Sequence, residues 1–512
     1  MKRFLITISI ILASALLFFV GLFVILVLAP GSRIFGIEYV SAQVGVADIS
    51  QEWAEYIDGD IYLNTKDVPV TINFEPYGRT KVEFVQHYSG YTTGGFRVPD
   101  AQIIKDANGI TVNTNEIQRF LFGTNHEYGL VITLPLSWGT SGRHSIYVVG
   151  ENSKTTIKAN ADATLEFVEL SLKGKGEIAL NCNFDVRTFS FYTPKKLNLE
   201  SNHYAQNVSV ETTSADVNLN YALSGNIEAS MGAGDLGFVS CNNANITTSS
   251  GKVFGLNDGG IVYGNVNIKS LGGDIELLSL NGVSDENQIS STSGDITIGT
   301  LTRGYVKSER GDILVSNLIN ATIENDRGKT NVGAVSGSVN VASQSGKVCV
   351  GSFVDGVARN VTVLTTSGDC VLKNTVGAVK VTSSSGEVEL FNTTSTDVEI
   401  SSGNKIFATG LLGGAKISGN ANITLHFSRI VSENVITGNE KCRNINISVE
   451  NLTPSQFSYS LKTTADNNGM ASIYSGSTCL AQDLVLEANK GSGKLTVSAT
   501  GCKINIYTPA QN

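Results

Sequence analysis

The sequence predicts an all-β fold: a right-handed parallel β-solenoid, or β-helix, of 17–22-residue coils preceded by one N-terminal transmembrane α-helix. Three observations predict it. An apolar run opens the chain, the composition favours short strands and tight turns, and a glycine turn recurs at a nearly fixed step.

Met1-Lys2-Arg3 is followed by an apolar run from Phe4 to Ala29, 26 residues long. That length crosses about 30 Å of hydrocarbon with some tilt. A cleavable signal peptide has a shorter apolar stretch, about 7–15 residues, ending at a small-x-small site; here the run meets Pro30-Gly31 instead. Lys2 and Arg3 precede the run and only Arg33 closely follows it. The positive-inside rule then reads residues 1–3 as a cytoplasmic stub, 4–29 as a single-pass cell-membrane helix, and 30–512 as extracytoplasmic. Residues 30–59 read as a spacer.

Over the whole chain 53 Gly stand against 8 Pro and 3 Met, in a background of Ser, Thr, Asn and Val. Such a mixture suits strands joined by tight turns. A net charge of −9 without any Lys/Arg cluster excludes a phosphate-neutralising surface, so nucleic acid is not an expected partner. The seven cysteines contain no CxxC pair, which leaves zinc without a spacing to support it, and their odd number leaves at least one without an intrachain partner.

The repeat is marked by a small residue or Arg, then Gly, then usually Asp, Lys or Glu. Its glycines are Gly234, Gly251, Gly273, Gly294, Gly311, Gly328, Gly346, Gly368, Gly386 and Gly403, at steps of 17, 22, 21, 17, 17, 18, 22, 18 and 17 residues. Two and four residues after the glycine stand apolar pairs such as Ile275/Leu277, Ile296/Ile298, Ile313/Val315, Val348/Val350 and Val388/Leu390. Five and often seven before it stand Val266/Ile268, Val339/Val341, Val361/Val363 and Val379/Val381. Alternation with polar residues is the signature of strands buried on one face. Each unit is a strand, a glycine turn, a second strand and a return loop; stacking in parallel buries what one unit cannot. Right-handed coiling follows from the hand of parallel crossovers. The glycine is expected to supply the positive φ of a tight turn.

Less regular alternation flanks the repeats, at Val68/Val70/Ile72/Phe74, Leu130/Ile132/Leu134 and Ile178/Leu180, and afterwards at Ile445/Ile447/Val449, Leu495/Val497 and Ile504/Ile506. Residues 60–200 therefore read as an N-terminal β module leading into the solenoid, 201–410 as the regular repeats and 411–512 as a C-terminal β module. The two modules are expected to close edges that would otherwise pair with other chains.

The text from Gly59 to Ile72 (GDIYLNTKDVPVTI), from Tyr128 to Pro135 (YGLVITLP), and units such as Ser291–Gly299 (STSGDITIG) and Thr382–Leu390 (TSSSGEVEL) resemble the bacterial adhesin β-solenoid family, membrane-anchored domains of unknown function. The resemblance covers residues 59–405 and implies adhesion by analogy only, with no catalytic residues to carry over. The long extension after Gly403 departs from a one-module pattern.

Individual motifs have bland readings beside the functional ones. Arg310-Gly311-Asp312 spells an integrin-binding tripeptide but falls on a repeat turn, where residues 293–295 and 367–369 read Ser-Gly-Asp. Asp274, Asp295 and Asp312 stack on one edge, where a cation would relieve their repulsion, or they are solvated turn residues. Cys349 and Cys370 sit one unit apart but three and two residues after their glycines, hence on opposite faces. His87, His126, His144, His203 and His426 are dispersed, with no HExxH, nucleophile elbow or phosphate loop.

The sequence thus points to a membrane-anchored surface solenoid, structural or adhesive and without catalysis, whose partners are the membrane and a cell-surface polymer, glycan or protein. No catalytic, cofactor-binding or metal-binding residue is assigned. The alternatives are an envelope-stress sensor or scaffold that binds a membrane partner, and a carbohydrate-active solenoid enzyme.

Overall fold

The computed structural model describes every residue except 1, 29–32, 35–36, 43–48, 77, 94–99, 116–121, 161, 193–194, 200–202, 283, 285–286, 352–356 and 511–512. The chain is an all-β solenoid with about 15 turns in total and one N-terminal apolar helix. That helix, Lys2–Leu28, contains a 19-residue window, Ile6–Val24, of mean hydropathy 2.6, none of it buried in protein. The chain divides into two compact units, Met1–Val217, which includes this helix, and Asn218–Asn512. The glycine turns from Gly234 onward and the 411–512 segment fall within the second unit.

In the second unit the glycine-marked strands pair in parallel, turn upon turn. Ile275, Ile296 and Ile313 are in register, as are Val388, Ile406 and Ile423, and none exceeds 1% exposure. Each such side chain contributes about 1.5–3 kcal/mol when removed from water. The flanking alternations also point inward: Ile445, Ile447, Leu495, Val497, Ile504 and Ile506 are all fully buried.

The glycines are needed for a different reason from the one expected. None of the nine from Gly251 to Gly403 has a positive φ. Instead, a Cβ at Gly273, Gly294, Gly311, Gly328, Gly346, Gly368 or Gly386 would lie closer than 3.0 Å to the carbonyl oxygen of the glycine one turn back. The glycines form a column in which backbone stacks on backbone with no room for a methyl group. A second column supports it from inside: the buried Ser, Thr or Asn three residues before the glycine. Thr248, Ser270, Ser343, Thr365 and Ser383 each donate a hydroxyl hydrogen bond to the carbonyl of the glycine three residues on, at 2.6–3.1 Å. At Asn325 the amide takes over, accepting from Gly328 N–H at 3.0 Å.

Both units end in antiparallel strands. In the first, Asp60–Thr65 pairs in parallel with Ile146–Gly150 on one side and Gly109–Thr114 on the other. Ala101–Asp106 then closes Gly109–Thr114 antiparallel, and Thr80–Thr93 closes Phe122–Pro135 in the same way. Part of the stretch read as a spacer is sheet, because Ile37–Ala42 and Ile49–Trp53 pair antiparallel with Thr80–Thr93. Their apolar residues, Ile37 and Tyr39 in one and Ile49 and Trp53 in the other, carry a strand pattern too short to stand out beside the repeats.

At the C-terminal end the order of strands departs from the order of sequence. Glu433–Gly438 and Asn444–Val449 pair in parallel with Lys494–Ala499 and Lys503–Thr508, the last strands of the chain. Those in turn pair in parallel with the earlier Ser458–Lys462 and Met470–Ser475. Val485–Ala488 and Thr478–Asp483 finish the stack antiparallel. The final strands are thus a wedge, inserted between turns laid down before them.

The first unit also holds a buried histidine. The His144 ring stacks on Trp138 at 4.5 Å, its Nε2 lies 2.9 Å from the Tyr56 hydroxyl, and Trp138 Nε1–H donates to Gly59 O at 3.2 Å. Burial holds His144 below its usual value, against the opposing pull of Asp58 and Asp60. The depressed value makes the unfolded chain bind the proton first. Stability from this group is therefore complete above about pH 6.5 and lost as pH falls through the folded value, with a slope of at most about 1.4 kcal/mol per pH unit. Melting between about pH 7.5 and 5 should show that slope in the wild type and lose it in His144→Gln; an equal slope in both would assign the effect elsewhere.

Candidate functional site

Side chains facing solvent on the parallel sheet form columns as regular as those inside. One column runs Asn245, Asn267, Gln288, Tyr305, Thr322, Asn340, Thr362, Lys380, Glu399 and Lys416, each paired in register with the next. Neighbours bond along it: Asn267 Nδ2–H donates to Asn245 Oδ1 at 2.9 Å and Lys380 Nζ to Glu399 Oε2 at 3.1 Å.

The column opens into a shallow cleft of about 350 Å³ lined by Arg303, Tyr305, Asn320, Thr322, Ser338 and Asn340. Its origin is one extra residue. Leu318 pairs with Val335 but Asn320 pairs with Ser338, so two residues of the strand Thr330–Ser343 face one of its neighbour. Such a bulge re-aims side chains locally. Asn320 Oδ1 accepts from both the backbone N–H and the hydroxyl of Ser338 at 3.0 Å, holding the bulge, while the Tyr305 hydroxyl donates to Glu324 Oε2 at 2.5 Å. Burial and the Glu324 carboxylate raise the Tyr305 pKa, keeping the phenol protonated. The cleft offers a guanidinium, a fixed aromatic ring, amides and hydroxyls, a set that can engage a polar polymer through hydrogen bonds and ring contact. Sequence reading missed it, although the step of 18 between Gly328 and Gly346, after two steps of 17, carries the extra residue.

The turn carboxylates have a structural task. Asp274 Oδ1 accepts from Asp295 N–H at 2.8 Å, Asp295 Oδ1 from Asp312 N–H at 2.7 Å, and Asp312 Oδ1 from Lys329 N–H at 2.7 Å. Asp369 serves Glu387 N–H in the same way. Each carboxylate therefore satisfies the backbone of the next turn, which explains the acidic column without a cation. The Arg310-Gly311-Asp312 tripeptide lies inside this series. Asp312→Ala should lower the local opening free energy by about 1 kcal/mol, and Asp312→Asn, which keeps the acceptor, should restore most of it. Hydrogen exchange at Lys329 reads both; equal exchange in wild type and alanine variant would remove the role.

Cys349 pairs with Val371 while Cys370 pairs with Val348. Cys370 is fully buried and Cys349 half-buried, so the two face opposite sides as their spacing implied. Among the described residues no group of three or more His, Cys, Asp or Glu could hold a metal ion. His144 and His426 are far apart in sequence and packed separately, against Trp138 and Phe407 respectively. The side chains of His87, His126 and His203 lie outside the described residues.

A protein-family model described as Toastrack DUF4097 matches residues 59–344 and 258–406. The matches together cover more than half of the chain, which belongs to this family. Its description names no activity. Neither a curated protein nor a solved structure matches.

Proposed function

We propose that this Toastrack-family chain is a membrane-anchored surface protein that uses its solenoid as a structural and adhesive element, without catalysis. The N-terminal helix serves as a single-pass anchor, with residues 30–512 on the extracytoplasmic side, consistent with Lys2 and Arg3 preceding it. The observation that carries the adhesive reading is the outward column of paired polar side chains, opened at Tyr305 into a shallow cleft. A shallow, repeating polar surface suits an extended polymer better than a small substrate, which is normally enclosed in a deep, mainly apolar pocket. An envelope glycan presents hydroxyls to Arg303 and Asn340 and a sugar face to the Tyr305 ring.

The full chain in lipid nanodiscs, tested against isolated envelope polysaccharides, should bind without releasing fragments. Tyr305→Ala and Asn340→Ala should weaken that binding by about tenfold each at unchanged melting temperature. Release of cleaved glycan would replace the reading by an enzyme, and capture of one discrete membrane protein with no glycan binding would replace it by a sensor or scaffold.

A further inference from the structure

Cys442 and Cys502 are 60 residues apart in sequence, yet their sulfurs are 3.1 Å apart and both side chains are fully buried. They lie in the turns that enter two neighbouring strands: Asn444 pairs with Lys503 just after the cysteines, and Gly438 with Ala499 just before them. Adjacent turns of a parallel stack are about 4.8 Å apart, within the Cα separation that a disulfide spans. Cys502 belongs to the inserted wedge, Cys442 to the turn on which the wedge is laid.

We infer that Cys442 and Cys502 form a disulfide that staples the C-terminal wedge into the solenoid. The oxidant is a disulfide of the class RSSR, such as oxidised glutathione or a thiol oxidoreductase in its disulfide form. The Cys442 thiolate attacks one sulfur of RSSR and expels RS⁻, leaving a mixed disulfide. The Cys502 thiol then loses its proton and attacks the Cys442 sulfur, expelling a second RS⁻. The two RS⁻ groups take up the two protons released by the cysteines. Two protein thiols are oxidised to one disulfide, and one RSSR is reduced to two RSH. The roles of Cys442 and Cys502 can be exchanged in this sequence of steps without altering its balance, because either sulfur can face the other as thiol or thiolate. The bond forms while the wedge docks, since the seated sulfurs are closed to solvent. An extracytoplasmic position supplies such oxidants; the chemistry itself does not depend on the adhesive reading.

The test uses the full chain in nanodiscs, equilibrated with oxidised glutathione, then denatured, alkylated and digested without reductant. A linked peptide pair carrying Cys442 and Cys502, with Cys182, Cys241, Cys349, Cys370 and Cys479 alkylated, is expected. Proteolysis after residue 493 should be slower by about 100-fold in the oxidised than in the reduced protein. That difference should vanish in Cys442→Ala/Cys502→Ala, and the oxidised-against-reduced comparison of the wild type stands alone if the variant does not fold. Quantitative alkylation of Cys442 and Cys502, pairing of either with another cysteine, or equal proteolysis in both redox states overturns the staple.

Discussion

Gly346→Ala should destabilise the turns around it by about 3 kcal/mol or more, the upper range for overpacking a filled interior. The added methyl would meet the Gly328 carbonyl, and a Cβ, fixed to the backbone, has no rotamer to escape into. Two turns must separate, stretching the ladder between Thr330–Ser343 and Val348–Val350 and loosening the Ser343 hydroxyl from the Gly346 carbonyl. Gly346→Asn separates this cause from the conformational one. Asparagine enters the left-handed region more readily than other non-glycine residues, so a turn that needed only positive φ would tolerate it better than alanine. Contact with the neighbouring carbonyl makes the two variants equally damaging. Hydrogen exchange across residues 330–350 measures both, and an asparagine variant close to wild type would return the glycine to its expected conformational role.

That contrast shows what a sequence of this kind exposes and what it hides. The inward columns were legible because burial imposes a period of two, and Ile296, Ile313 and Val388 keep it without exception. The cysteine faces were legible for the same reason: Cys349 and Cys370 differ by one position from their glycines, and a one-residue offset reverses a side chain. The glycine column was visible as a period, but its cause was not. A lone turn justifies glycine by φ, whereas here the requirement comes from the turn beneath, seventeen or more residues away. The acidic column follows the same logic, since Asp295 bonds to the backbone of Asp312 and not to anything near it in sequence. The Ser/Thr/Asn column three residues before each repeat glycine from Gly251 to Gly386 was present in the text, yet among so many Ser and Thr residues it did not separate from background. The cleft at Tyr305 depends on a single extra residue, which a repeat alignment absorbs as scatter.

The C-terminal wedge lay furthest from reach, because nothing in the alternation of Leu495, Val497, Ile504 and Ile506 says between which strands they insert. Its removal should have the largest effect of any change considered. Deleting residues 494–512 exposes the facing edges of two turns, Glu433–Gly438 with Asn444–Val449 and Ser458–Lys462 with Met470–Ser475. It also removes Leu495, Val497, Cys502, Ile504 and Ile506, all fully buried. At about 1.5–3 kcal/mol per large apolar side chain, the loss is on the order of 10 kcal/mol, comparable to the stability of a whole domain. Ser458–Lys462 and Met470–Ser475 would keep only the antiparallel partners Val485–Ala488 and Thr478–Asp483, and such isolated two-stranded pairs are marginal in water. Residues 458–488 should therefore lose hydrogen-exchange protection altogether, while Glu433–Val449 keeps part of its protection through its pairing with Ala415–Gly419 and Ile423–Phe427. A truncated chain that still protected 458–475 would mean that this segment folds without the wedge. Since Lys494–Ala499 and Lys503–Thr508 follow in sequence the strands they separate, the edge they cover stays open until residues 494–508 are in place.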